Sequence, residues 1–393
     1  MRGTVAKKGR RWYAVVYDGI DPATGKKRRR WVSAGTRRGD AERLLASLVQ
    51  RKYEGEPVVT DKVTLGRYLL ERWLPIQKTR LRASTYDAYR RNIDLHVLPG
   101  LGRRPLDKLT GEDIDLFYAK LLTEGRKNNK GDITGLAPKT VRNIHVMLNK
   151  ALSDAVRKGA VVRNVVALAD APSLKAQKRQ DLKAWDAVQL RTFLDAIRSH
   201  RLHPAFHLSS HTGMRRGEIL GLRWCDLDLD AGRLSVRQAL VSIAYDVQLS
   251  DVKTGTGRRT IDLDPGNVDV MKAWRIERAE EKAGIEPSGD ELVFCKPEGS
   301  WIHPHSFSQI LDRKVAKLDV PTISLHDLRH THATLLLKAG VPVKVVSERL
   351  GHANVAFTMS IYQHVLPGMQ AEAAVTFAQL LTAVHDADAP QGT

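Results

Sequence analysis

From Leu65 to Ala155 the apolar residues of this 393-residue chain recur every three or four positions, and that periodicity constrains its fold most. Leu65, Tyr68, Leu69 and Trp73 share one helical face. Tyr89, Ile93 and Val97 share a second, and Ile114, Phe117, Tyr118, Leu121 and Leu122 a third. Val141, Ile144, Met147, Leu148, Ala151, Leu152 and Ala155 make a fourth. Ser84 with Asp87, and Thr110 with Asp113, read as capping boxes at helix starts. Pro138 suits a first turn, while Pro99-Gly100 and Gly159 read as stops. The pattern predicts an all-helical domain of four or five helices over residues 62–172.

The flanking regions have another texture. Residues 1–60 hold fifteen Lys and Arg against six Asp and Glu, a net of +9 out of +19 for the whole chain. Arg11 to Tyr17 is β-branched and aromatic, hence strand-like, and a strand from Lys27 to Ala34 follows the turn formers Asp21 to Lys26. Ala41, Leu44, Leu45, Leu48 and Val49 then recur at helical spacing. A small domain is expected over 1–56, with Gly55 to Lys62 as linker. Beyond a second linker, Lys175 to Lys183, residues 180–385 mix helices with strands at Arg233 to Val241 and Val247 to Leu263. Gly255-Thr256-Gly257 reads as a turn between two of these. Residues 386–393 read as a disordered tail.

A chain of this length exceeds one core and divides into domains. So large a basic excess calls for a polyanionic partner, nucleic acid or an anionic membrane. No apolar run is long enough to span a bilayer and the start carries no leader pattern, so nucleic acid is the expectation. Cys225 and Cys295, without finger spacing, point away from a disulfide scaffold or zinc module and fit a reducing cytoplasm.

The chemistry concentrates near the C-terminus. His326 and Arg329 lie three residues apart on one helix face, His352 follows a Leu-Gly turn, and Tyr362 lies ten residues further on. Far upstream, Arg215 follows the turn Thr212-Gly213-Met214, where a guanidinium can meet phosphate oxygens. Ionising a phenol of pKa near ~10 at neutral pH costs roughly 4 kcal/mol, which a base and nearby cations must offset. An arginine at ~4 Å from developing charge supplies on the order of 4 kcal/mol at an effective dielectric near ~20. His326, His330 and His332 could be zinc ligands by spacing, but positions i, i+4 and i+6 do not share one face. His330 reads instead as a packing or hydrogen-bonding residue.

The segments "HTGMRRGEILGLRW", "VKTGTGRRTIDL", "LHDLRHTHAT" and "LGHANVAFTMSIYQHV" together closely resemble the tyrosine recombinases of the phage-integrase type. The resemblance implies a small α+β arm-binding domain with a three-stranded sheet, an all-α core-binding domain and a mainly α catalytic domain with a small antiparallel sheet. It implies that Arg215 and Arg329 clamp the scissile phosphate, that Tyr362 attacks to form a 3′-phosphotyrosyl bond, and that His326 assists as general base. Lys253 would protonate the departing 5′-oxygen, His352 would hydrogen-bond the phosphate, and Glu218 would buttress the site. Arg11, Arg28, Arg29, Arg30 and Arg216 are the expected DNA contacts. No metal and no nucleotide cofactor is expected.

The implied partners are double-stranded DNA with arm and core sites and three further copies in a tetramer. DNA-bending and directionality factors would join them in a bacterial host's cytoplasm. Met369 to Ala383 would pack on a neighbouring protomer or on its own domain. A chromosome-dimer resolving recombinase, a type IB topoisomerase and a catalytically silent DNA-binding regulator stand as alternatives.

Overall fold

The computed structural model describes residues 3–20, 27–53, 63–127, 131–173, 183–251, 257–362, 374–375 and 377–379. Both expected linkers lie mostly outside them, and so do Lys253, the tail and most of Met369–Ala383. The chain forms two compact units, Met1–Lys178 and Arg179–Thr393.

The first unit begins with three antiparallel strands, Thr4–Lys8, Arg11–Ile20 and Lys27–Gly35, with the helix Arg38–Tyr53 packed on them. Ala14, Val16 and Leu48 close a small core, flanked by Leu44 and Leu45 as the periodicity predicts. Arg11 and Arg29 are exposed, and Arg28 and Arg30 lie on the third strand.

The helical part buries one face of each segment, with Leu65, Trp73, Ile93, Ile114, Ile144 and Leu148 in a common core. Thr110 and Asp113 form the expected reciprocal cap of the helix Gly111–Glu124. Pro138 opens the helix Pro138–Arg157, and Gly159 adopts a left-handed φ of 69° just beyond it.

Two expectations about helix ends fail. Ser84 is not a cap, because the helix Ala83–Asn92 begins at the N-cap Arg82; Asp87 instead pairs with Arg91 at 3.1 Å. Pro99-Gly100 does not end its helix either, for the run continues to Leu101. The wide turn Ile93–Val97 directs the Leu98 N–H to the Ile93 carbonyl, so the chain has already left ordinary α-register when it reaches the proline.

The second unit is mainly helical around Trp185, Phe193, Phe206, Trp274, Phe294 and Phe307. Its strands fall into separate small sheets. Gln238–Ile243 pairs with Asp246–Asp251, while Arg259–Asp262 pairs with Arg233–Val236 in another sheet. A tight hairpin turn that was not anticipated joins the first pair at Ala244 and Tyr245, both left-handed at φ 49° and 70°. A two-residue hairpin needs that geometry, and neither residue type advertises it. Of the expected Gly-Thr-Gly turn, Gly255 and Thr256 lie outside the described residues.

Candidate active site

Two glycines prepare the site. Gly213 ends the helix His203–Thr212 with φ 63°, and Gly351 ends Val343–Leu350 with φ 67°. Each conformation is one that a side chain rarely adopts. A Cβ on Gly213 would also come within 2.7 Å of both His332 and Leu350. The carbonyls of these two turns receive the two site arginines. Arg329 Nη1 donates to Gly213 O at 2.8 Å, and Arg215 Nη2 to Gly351 O at 3.3 Å.

Arg215 is the N-cap residue of the helix Arg216–Leu220. Its backbone N–H and its Nη1 both donate to Glu218, at 2.9 and 2.8 Å. Glu218 is buried and accepts a second guanidinium on its other side, Arg259, at 2.9 and 3.3 Å. Burial alone would raise this carboxyl. The Arg259 hydrogen bonds and the two cationic charges outweigh that and hold it below its ordinary value. Arg259 also donates to the Arg349 carbonyl at 2.7 Å, tying the strand Arg259–Asp262 to the turn that carries His352. Arg216, by contrast, is exposed and donates to Ser308 at 2.7 Å.

Arg329 lies on the helix Leu325–Lys338 and is only 3% exposed. Its Nη2 finds no hydrogen-bond acceptor among the described residues. Desolvation and the neighbouring Arg215 lower the guanidinium to about 9, which still leaves it cationic at neutral pH. A buried, charged donor without an acceptor costs free energy unless an anion completes it. The leftover Nη2 donor, beside Arg215, is suited to an anion such as a phosphate oxygen.

Tyr362 ends the helix Val355–Tyr362 and is 1% exposed. Burial pushes its phenol up, against the opposing charge of Arg329, so the hydroxyl is protonated. That hydroxyl lies 2.7 Å from His330 Nδ1. His326 is exposed one helical turn earlier, its ring edge-on to His330 with centroids 5.0 Å apart. Partial desolvation and Arg329 lower the His326 imidazole. His352 lies 2.8 Å through Nδ1 from Thr358 Oγ1, and desolvation followed by the charges of Arg329 and Arg215 lowers it to about 3.

Arg215, Glu218, Arg329, His326, His352 and Tyr362 thus belong to one mutually interacting cluster, while Lys253 falls outside the described residues. Two further members, Arg259 and His330, lie within the quoted segments but were given no part in the site. Arg259 shares a strand face with the buried Ile261, two positions on, so the period of two marks it as inward-facing. His330 is four residues from His326 and therefore on the same helix face, a signal present in the sequence. His330 was expected to pack or hydrogen-bond and does hydrogen-bond, while His332 is buried, 3.0 Å from Ser210 O and accepting from Arg349 at 3.2 Å.

Residues 180–368 match the model of the phage integrase family, and residues 67–122 match that of the phage integrase N-terminal SAM-like domain. The chain belongs to the phage integrase family, the tyrosine recombinases. A curated relative of this recombinase from Caldanaerobacter subterraneus subsp. tengcongensis, described as tyrosine recombinase XerC-like, is 27% identical over 95% of this chain and 97% of its own. The ICEBs1 integrase of Bacillus subtilis is 25% identical, with 92% of this chain and 95% of that one covered. Among solved structures, the Tn1549 transposon integrase in complex with transposon right end DNA matches with a TM-score of 0.62. Its identity is 21%, over 77% of this chain and 97% of that one. A lambda integrase tetramer bound to a Holliday junction matches at 0.55, with 19% identity over 89% and 92%. At these identities the structural likeness establishes the fold. Neither unit shows, among the described residues, a helix long and apolar enough to cross a membrane.

Proposed function

We propose that this recombinase cleaves and rejoins DNA at specific sites through Tyr362, as the integrase of a phage or another mobile element. Arg215 and Arg329 hold the non-bridging oxygens of the scissile phosphate, and the unpaired Nη2 of buried Arg329 is the observation that carries the reading. As the Tyr362 oxygen bonds to phosphorus, the bond from phosphorus to the 5′-oxygen breaks, leaving a 3′-phosphotyrosyl adduct. His326 assists as general base in the loss of the phenolic proton, and Lys253 supplies the proton for the departing oxygen. His352 donates to the phosphate, and Glu218 keeps Arg215 and Arg259 in place. The freed 5′-hydroxyl of a second duplex then attacks the adduct and reverses the chemistry.

Beyond the single protomer, four copies pair two duplexes, and the segment Met369–Ala383 joins neighbours. The lambda integrase tetramer on its junction supports that arrangement. Arg11, Arg28, Arg29 and Arg30 contact arm-site phosphates, Arg216 contacts the core site, and DNA-bending and directionality factors assist in a bacterial cytoplasm. The basic charge of residues 1–60 supports the arm role. A nicked suicide substrate tests the centre of the proposal. Tyr362→Phe should form no covalent adduct while binding the DNA as the unaltered chain does; an adduct that persists in this variant refutes the assignment.

A further inference from the structure

His330, for which the sequence suggested only packing or hydrogen bonding and no part in the reaction, is the hydrogen-bond partner of the Tyr362 hydroxyl. His330 Nδ1 lies 2.7 Å from it, with ring centroids 5.7 Å apart and planes at 59°. His330 sits mid-helix on Leu325–Lys338, directly after Arg329, whereas Tyr362 comes from another helix 32 residues later. The histidine ring is also braced by His326 against its edge. We propose that His330 is the positioning residue of the nucleophile: its Nδ1 accepts the phenolic hydrogen bond and fixes the rotamer from which Tyr362 attacks.

The neutral imidazole suits that role. Burial and then the charge of His326 depress it to about 4, so at neutral pH it offers a lone pair rather than a second cation beside Arg329. A phenol at the end of a helix has two torsions to fix, and an error of about 1 Å at a reacting atom costs on the order of 10²-fold in rate. The inference rests on Tyr362 being the nucleophile.

The test separates cleavage from binding on the nicked substrate. His330→Phe keeps an aromatic ring without an acceptor and should slow adduct formation at saturating DNA by about 10²-fold, with the dissociation constant unchanged. His330→Asn, whose amide oxygen falls near the position of Nδ1, should recover the rate to within about threefold. If the phenylalanine variant does not fold, His330→Ala is assayed with and without added imidazole, and restored cleavage supports the role. A phenylalanine variant that cleaves at the normal rate overturns it, as does an asparagine variant as slow as the phenylalanine one, or an alanine variant that binds DNA but ignores imidazole. In each of those cases a blank result with Tyr362→Phe would leave the nucleophile standing, whereas adduct in Tyr362→Phe would remove it.

Discussion

The two units of the molecule bury charge to opposite ends. In the helical part, Asp154 is 6% exposed and is closed in from several sides. Trp73 Nε1 donates to it at 3.0 Å and Gln77 Nε2 at 3.5 Å, and Lys150 and Arg157 supply the counter-charge. Burial would raise this carboxyl, but the tryptophan hydrogen bond and the two cations hold it below its ordinary value. Arg329 in the second unit is buried as deeply and receives one carbonyl, with Nη2 left over. A charge buried for the fold is neutralised on the spot. A charge buried for a ligand is left open on the side where the ligand enters.

The largest effect expected from this contrast is at Arg329. Arg329→Met keeps the length and removes the charge, so covalent adduct should drop by about 10³-fold. Thermal stability should hold or rise, because a half-satisfied buried cation adds little to the fold. A midpoint lower by several degrees would instead put Arg329 in the same class as Asp154.

Glu218 lies between the two cases, since it is buried for the fold yet orients a site arginine. Glu218→Gln should cost about 3 kcal/mol in denaturant unfolding, as two guanidinium groups lose their anion. Because its carboxyl sits below the ordinary 4.5 in the folded chain, its contribution is complete above about that pH and is lost as the pH falls below it. The glutamine variant should therefore lack that part of the acid limb.

Histidines act in a higher window. His330 at about 4 and His332 and His352 at about 3 all lie below their ordinary 6.5. The unfolded chain takes up these protons first, so stability is full above pH 6.5 and declines toward pH 4. Each such group contributes at most about 1.4 kcal/mol per pH unit. Urea midpoints across that range that did not move would contradict the buried, neutral state of these rings.

The smallest effect is expected at Asp154. Asp154→Ala strands the buried Trp73 Nε1 but leaves Lys150 and Arg157 free to reach water, for a loss of about 2 kcal/mol. Adduct formed per bound complex should not change. A cleavage defect as large as that of Arg329→Met would erase the distinction between the two kinds of buried charge.

Much of this arrangement was legible before any coordinates. The helical faces of residues 65–155 buried as their periodicity required, except that Leu122 at the edge of its face is exposed, and Thr110 with Asp113 closed as a reciprocal cap, because both signals act within a few residues. The cap at Ser84 and the stop at Pro99-Gly100 failed because a local motif can be overridden by neighbouring turns. The hairpin turn at Ala244 and Tyr245 was invisible, since neither residue type favours its own backbone geometry.

By itself the sequence determined the texture of each region and the side chains able to do chemistry, because spacing along a helix or strand fixes which residues share a face. The tertiary structure decided who meets whom. It set Arg329 on a glycine carbonyl 116 residues away, Arg215 on another 136 away, and the Tyr362 hydroxyl against His330 rather than His326. No local pattern encodes such meetings. They depend on how separately formed helices pack, and packing is settled by the whole core at once.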